Sequence, residues 1–206
     1  MVLFVILILY YISNIKRMNT IYILVVILVV ALLFVTIFKP SKKQLRIKRA
    51  SKIKNQAKQI NIKVADNVLS VVLNIIYTNQ NNLPAVFAYL RKIEPFVFEE
   101  LLLTCFERQG FKIVRNTRYT GDSGIDGKVY IDSGLYLIQA KRYSGSIKLA
   151  HLEEFSSTIK SNRAVGGYFI HTGTTGTGCR SYLDQHPSIQ LISGQRLIEF
   201  IKLSAR

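Results

Sequence analysis

Residues 20–38, TIYILVVILVVALLFVTIF, run for nineteen positions without one charged side chain. At ~1.5 Å rise per residue a helix of that length covers roughly 28 Å, close to the hydrocarbon core of a bilayer. The run has no polar face of the kind a soluble core helix keeps, so it predicts a transmembrane helix. A cleaved signal peptide fits poorly, because the run exceeds an h-region and FKPSKK follows it instead of a small-residue cleavage site. A shorter apolar stretch, VLFVILILYYI (2–12), lies upstream across IKRMNT and is too short to span alone. Met18 is an alternative start to Met1.

After the anchor the pattern turns polar and basic through SKKQLRIKRASKIKNQAKQINIKV, which predicts a helix at the membrane surface. VADNVLSVVLNIIY (64–77) then sets Val64, Val68, Val71, Val72, Ile75 and Ile76 at helical spacing. A loop is expected at 78–82, and Pro84 suits the first turn of a short helix over 83–92. Residues 39–94 thus read as a basic juxtamembrane stalk or a small helical subdomain. From Pro95 the order becomes regular: a helix to 109 stopped by Gly110, then strands at 111–115, 125–131 and 135–141. A helix through KLAHLEEFSSTIKS, a strand at 165–172, a helix through TGTGCRSYLDQH, a strand at 189–193 and a closing helix follow. The order αβββαβαβα predicts an α/β/α sandwich with a central mixed β-sheet as a domain over 95–206.

Charge changes the picture by where it sits. The net charge is +16, yet residues 39–65 alone hold ten basic side chains and no acidic one. Residues 66–206 hold 16 Lys and Arg against all 12 Asp and Glu, only +4. A basic block directly after an apolar run obeys the positive-inside rule and suits anionic lipid headgroups. The expected location is therefore the bacterial inner membrane, single-pass, with the C-terminal domain in the cytoplasm. Cys105 and Cys179 are isolated thiols, as expected in a reducing compartment, and His151, His171 and His186 form no zinc spacing.

Chemistry concentrates in GDSGIDGKVYIDSGLYLIQAKR (121–142). A two-residue turn at Ser133-Gly134 sets Asp126 opposite Lys141. Ile125, Val129, Ile131, Tyr136, Ile138 and Ala140 then share an apolar face. Asp126, Lys128, Tyr130, Gln139 and Lys141 share the other. A carboxylate that holds a hard divalent cation, beside a lysine that steadies charge on a phosphorane, suits phosphodiester hydrolysis. Gln139 offers an amide oxygen without negative charge. On helix 95–109, Glu99 shares a face with Phe96, Leu102, Leu103 and Phe106, while Glu100 points with Val97, Thr104 and Glu107. Glu99 is then either an inward carboxylate needing a metal or a lysine, or a boundary residue reaching solvent.

FEELLLTCFERQGFKI, GDSGIDG, QAKRY and GGYFIHTG, in that order, resemble the Mrr-type restriction endonuclease domain, of the PD-(D/E)XK nuclease superfamily in its QxK branch. The resemblance covers about 95–203. It implies a divalent-metal-dependent DNA endonuclease using Mg²⁺ or Mn²⁺, acting on foreign or modified double-stranded DNA in the manner of type IV restriction enzymes. Under it Asp126 is the principal metal ligand, Gln139 stands at the usual Glu position, the Ala140 carbonyl is a further ligand and Lys141 is the catalytic lysine. Glu99 matches the helical glutamate. Asp122 and Gly124 belong to the supporting turn. Arg142, Tyr143, Thr172 and Gly173 are the expected DNA-backbone contacts, and a homodimer and membrane lipids are the other partners considered. Two motifs fall short. The 122–133 stretch has Ser133 where an EF-hand needs a bidentate Glu, and HTGTTGTG lacks the Gly-Lys-Ser/Thr ending of a P-loop. The competing function is an inactive nuclease fold that binds DNA or a membrane-complex partner, or a junction-resolving nuclease.

Overall fold

The computed structural model describes residues 5–8, 10, 20–37, 41–78, 83–116 and 124–205. The chain divides into two compact units, residues 1–54 and 55–206. In the first, helix α1 (Thr20–Ile37) carries apolar side chains outward around its circumference, with Leu24, Leu28, Leu32 and Phe34 all more than half exposed.

Helix α2 (Lys42–Thr78) is one continuous element in which the basic run and the amphipathic run are joined. By length and composition α2 could cross a membrane. Its apolar half is instead committed to the second unit, where Ala65, Val68, Leu69, Val72 and Ile76 are buried. Helix α3 (Leu83–Leu90) adds Val86, Phe87 and Leu90 to the same core. The segment expected as a stalk over 39–94 is thus divided, and from Asn55 it belongs to the compact unit.

Helix α4 (Pro95–Arg108) starts with Pro95 in its first turn, where the missing N–H costs nothing. It ends in a Schellman motif: Gly110, at φ +88°, donates to Glu107 O at 3.0 Å and Phe111 donates to Phe106 O at 3.2 Å. The rings of Phe106 and Phe111 supply the accompanying apolar contact, with centroids 6.2 Å apart. Strands β1 (Lys112–Arg115), β2 (Gly127–Ile131), β3 (Gly134–Lys141), β4 (Gly166–His171) and β5 (Ile189–Ile192) form one sheet in that spatial order. β1, β2 and β3 are antiparallel, whereas β3, β4 and β5 are parallel. The parallel crossovers are made by α5 (Leu149–Ser161) and α6 (Thr177–Gln185), and α7 (Gln195–Leu203) closes the chain.

The helices occupy both faces of the sheet. Val129, Ile138, Ala140 and Ile170 pack with α2, α3, α4 and α7 in one apolar cluster. Leu137, Phe169 and Ile189 pack with Leu152, Phe155 and Ile159 of α5 and Cys179 of α6 in the other. This is the expected sandwich around a mixed sheet. Two local expectations are corrected. Ile125 lies before β2, outside the strand's alternation, and joins the second cluster instead of the Val129 face. Helix α4 is buried on nearly all sides, with Glu100 only 2% exposed and Phe96 37% exposed. A single apolar stripe therefore did not describe it, because α2 and α3 cover the side turned from the sheet. Cys105 sits in the last turn of α4, fully buried, and burial pushes its thiol up to about 12.

Candidate active site

The hairpin that builds the site turns at Asp132 and Ser133, whose φ of 48° and 68° are those of a type I′ turn. Pairing runs from Ile131↔Gly134 to Gly127↔Ile138. That register does not pair Asp126 with Lys141 as expected; Asp126 lies just before β2, beside Ile138, whose carbonyl accepts its N–H. The shift is two residues, so the alternation of faces within the strands survives.

Asp126 is held at both ends of the residue. Its N–H donates to Ile138 O at 2.8 Å, and its Oδ2 accepts the Ala140 N–H at 2.6 Å. Gly124, at φ +73°, covers Gln139 so closely that an added Cβ would stand 2.5 Å from the amide Nε2. The positive φ favours glycine there, and a larger residue would also have to displace the Gln139 amide. Gln139 is 2% exposed, and its Oε1 has no hydrogen-bond partner. A buried amide oxygen left without a donor costs about 1–3 kcal/mol, so this oxygen is suited to a cation. Among the described residues there is no cluster of three His, Cys, Asp or Glu. The donor set consists of carboxylate, amide and carbonyl oxygens, which fits a hard divalent ion better than zinc.

Helix α4 reaches the site because Gly127 lets it approach, a Cβ there falling 2.4 Å from Leu103. Glu99 is consequently half-buried beside Asp126. Burial, then the Asp126 carboxylate, then Glu100 push the Glu99 carboxyl up to about 8, against the pull of Lys141. Burial likewise raises Asp126 to about 6, opposed by the Ala140 N–H and by Lys141. Asp126, Glu99 and Lys141 therefore act on one another electrostatically. Glu100, by contrast, is a structural charge. It accepts from Arg115 Nε at 2.9 Å, and the same guanidinium binds Glu107 at 2.6 Å.

The DNA-contact residues divide. Thr172 is fully buried, and its hydroxyl donates to Tyr143 O at 2.9 Å, which removes it from any ligand surface. Gly173 packs against the Gly145 carbonyl, and Arg142 donates to Arg91 O. Tyr143 stacks on His151 with centroids 5.7 Å apart. These loops are pinned by Arg91, whose Nε donates to both Tyr143 O and Thr172 O at 3.1 Å. Sequence reasoning passed over Arg91, since its partners lie 52 and 81 residues away and no local pattern marks it. It also passed over His171, paired across the parallel register with Lys141. His171 Nδ1 accepts the Gly173 N–H, so Nε2 carries the proton and donates to Thr175 Oγ1 at 3.0 Å. Burial lowers its pKa to about 4, which keeps the ring neutral. Asp122 lies outside the described residues.

A family model for the Mrr catalytic domain, described as restriction endonuclease, matches residues 90–201, more than half of the chain. The type IV methyl-directed restriction enzyme EcoKMrr of Escherichia coli (strain K12) is 28% identical over 123 residues, which are 56% of this chain and 40% of that enzyme. The chain thus spans well under half the length of that relative. Among solved structures, the MspJI restriction endonuclease in complex with a 27-mer oligonucleotide matches over 57% of this chain and 30% of its own. The TM-score is 0.44 at 20% identity.

Proposed function

The chain belongs to the Mrr-type restriction endonuclease family, and from that premise we propose that it is a membrane-anchored, divalent-metal-dependent DNA endonuclease with its nuclease domain in the cytoplasm. The observation that carries the metal dependence is the partnerless buried Oε1 of Gln139, next to Ala140, whose N–H binds the Asp126 carboxylate, with Glu99 alongside. Mg²⁺ or Mn²⁺ would be held by the Asp126 carboxylate, Gln139 Oε1 and the Ala140 carbonyl, with Glu99 supplying the second negative charge. Such an ion, when bound, polarises the phosphoryl oxygen and acidifies water.

The remaining work falls to the protein. The Ala140 N–H fixes the Asp126 carboxylate, so that its other oxygen is directed by a 2.6 Å bond and not by a free rotor. Lys141 orients the attacking water and offsets charge growing on the phosphorane. Gly124 lies over the Gln139 amide nitrogen, which leaves the oxygen for the ion. The substrate class proposed is foreign or modified double-stranded DNA, in keeping with the methyl-directed relative. Helix α1 is proposed as the single membrane span. The exposed basic residues at the start of α2 would meet anionic lipid, which supports a cytoplasmic domain at the inner membrane. Self-association into a dimer would let two such sites cut both strands.

The test uses the full chain in detergent with methylated, unmethylated and branched duplexes. Wild type cleaves at least one of these with Mg²⁺ or Mn²⁺, and Asp126→Ala and Lys141→Ala each lose roughly a hundredfold or more. Equal inertness of all three proteins on every substrate overturns the enzyme reading. DNA binding without uptake of a metal ion would instead identify a binding module on a nuclease fold.

A further inference from the structure

Ten basic residues between 39 and 65 read from sequence as one electrostatic block, and the structure separates one of them from the rest. Among the described basic residues from Lys42 to Lys63, Lys58 alone is not exposed. Its Nζ donates to the main-chain carbonyl of Asn116, 58 residues away, at the end of β1. The Asn116 side-chain amide in turn donates to Ile125 O, the carbonyl of the peptide that joins Ile125 to Asp126. Two hydrogen bonds in series thus link helix α2 to the backbone that carries the proposed metal-holding carboxylate.

The surroundings show a built contact. Burial pulls the Lys58 pKa below its ordinary value, while the nearby Glu100 carboxylate opposes that shift and the Arg115 guanidinium adds to it. A lysine kept only for attraction to headgroups has no reason to leave water in this way. Arg115, the residue before Asn116, is itself fixed by Glu100 and Glu107, so the strand end that receives Lys58 is held firmly. The residue that bridges the two bonds is therefore anchored from both sides of the chain. Lys58 also lies outside the segment, residues 90–201, that the family model matches.

We propose that Lys58 is a positioning residue of the active site, fixing the Ile125–Asp126 peptide through Asn116 so that the Asp126 carboxylate meets the cation together with Gln139. Helix α2 is then a working part of the nuclease and not a spacer between it and the anchor. This inference rests on the reading of Asp126 as the metal-holding carboxylate. Groups that orient a metal ligand from behind typically change metal affinity by 10–100-fold when removed, and that is the scale expected here.

The experiment is a calorimetric Mn²⁺ titration of the full chain in detergent, with thermal melting followed on each sample. Lys58→Met weakens Mn²⁺ binding by roughly tenfold or more, and Asn116→Ala does the same. Lys58→Arg retains most of the affinity. Because the two groups act in series, the double variant Lys58→Met/Asn116→Ala is no weaker than the weaker single variant. A lower melting temperature with unchanged Mn²⁺ affinity would reduce Lys58 to a structural tether and overturn the proposal. Fully additive losses in the double variant would also overturn it. Asp126→Ala separates the premise from the inference. If that variant loses Mn²⁺ while Lys58→Met does not, only the positioning role falls; if it binds like wild type, the site reading falls and the positioning role with it.

Discussion

Glu99 and Asp126 share a half-buried corner in which neither carboxyl ionises at its ordinary pH. With folded values of about 8 and about 6, both lie above the range of an unfolded chain. Between the unfolded and folded values the native state holds protons that the unfolded chain has released. Stability without divalent metal therefore falls as pH rises from about 4.5 to about 8. Glu99→Gln removes the larger of the two shifts, so the metal-free protein should melt at least about 3 °C higher at pH 8, with little change at pH 4.5. Metal reverses the sign. A ligand must be ionised to bind, so Mn²⁺ affinity of the wild type should strengthen between pH 6 and pH 8 in the same titration. At this scale the sequence was informative where chemistry is local. Asp126, Gln139 and Lys141 lie within one hairpin, and their spacing alone brought them near one another. Helical phase separated Glu99 from Glu100, and the guanidinium of Arg115 binds Glu100, Thr104 and Glu107 as the one face that phase had grouped. Arg91 and Lys58 were invisible because their contacts are made across the fold, and a polar residue in a helix carries no mark of a distant carbonyl.

The hairpin shows how an element can be read correctly with its turn misplaced. The letters Asp-Ser-Gly invite the glycine into the turn, yet the chain bends at Asp132 and Ser133 and uses Gly134 as the first residue of β3. Every cross-strand pair moves by two residues. Since strand side chains repeat every second residue, the sorting of polar from apolar positions is unaffected; a slip of one would have inverted it. Ile125 was the exception because alternation cannot be extended past the end of a strand. The turn that the chain does use places a serine side chain at φ +68°, a conformation that costs an L-residue about 1–2 kcal/mol and glycine almost nothing. Part of that gain is lost to the greater freedom of glycine in the unfolded chain. Ser133→Gly should accordingly stabilise the protein by about 0.5–1 kcal/mol. A urea midpoint that rises with unchanged slope would show it. DNA cleavage should be unaltered, because the turn lies at the opposite end of the hairpin from Asp126.

For the molecule as a whole, the family match and the physical unit do not share a boundary. The matched segment begins at residue 90, while the core recruits apolar residues from Ala65 onward. Sequence periodicity recognised the amphipathic helix but not what it packs against, because burial of a helix face is decided by the rest of the fold. The proposed anchor has a direct test on the intact chain. Arginine at the centre of a span costs about 2.5–3.5 kcal/mol, so Leu28→Arg with Leu32→Arg should move the protein from the membrane fraction to the soluble one. Wild type should stay with membranes through an alkaline wash, and protease added to the periplasmic side should leave its C-terminal domain intact. Release of wild type by that wash would remove the span. The buried thiol in the last turn of α4 carries a kinetic consequence. Cys105 lies six positions along the helix from Glu99, fully buried and with its thiolate suppressed. An alkylating reagent reaches it only when that helix leaves the core. The speed of its labelling is thus a clock for how often the native protein opens its own active-site wall.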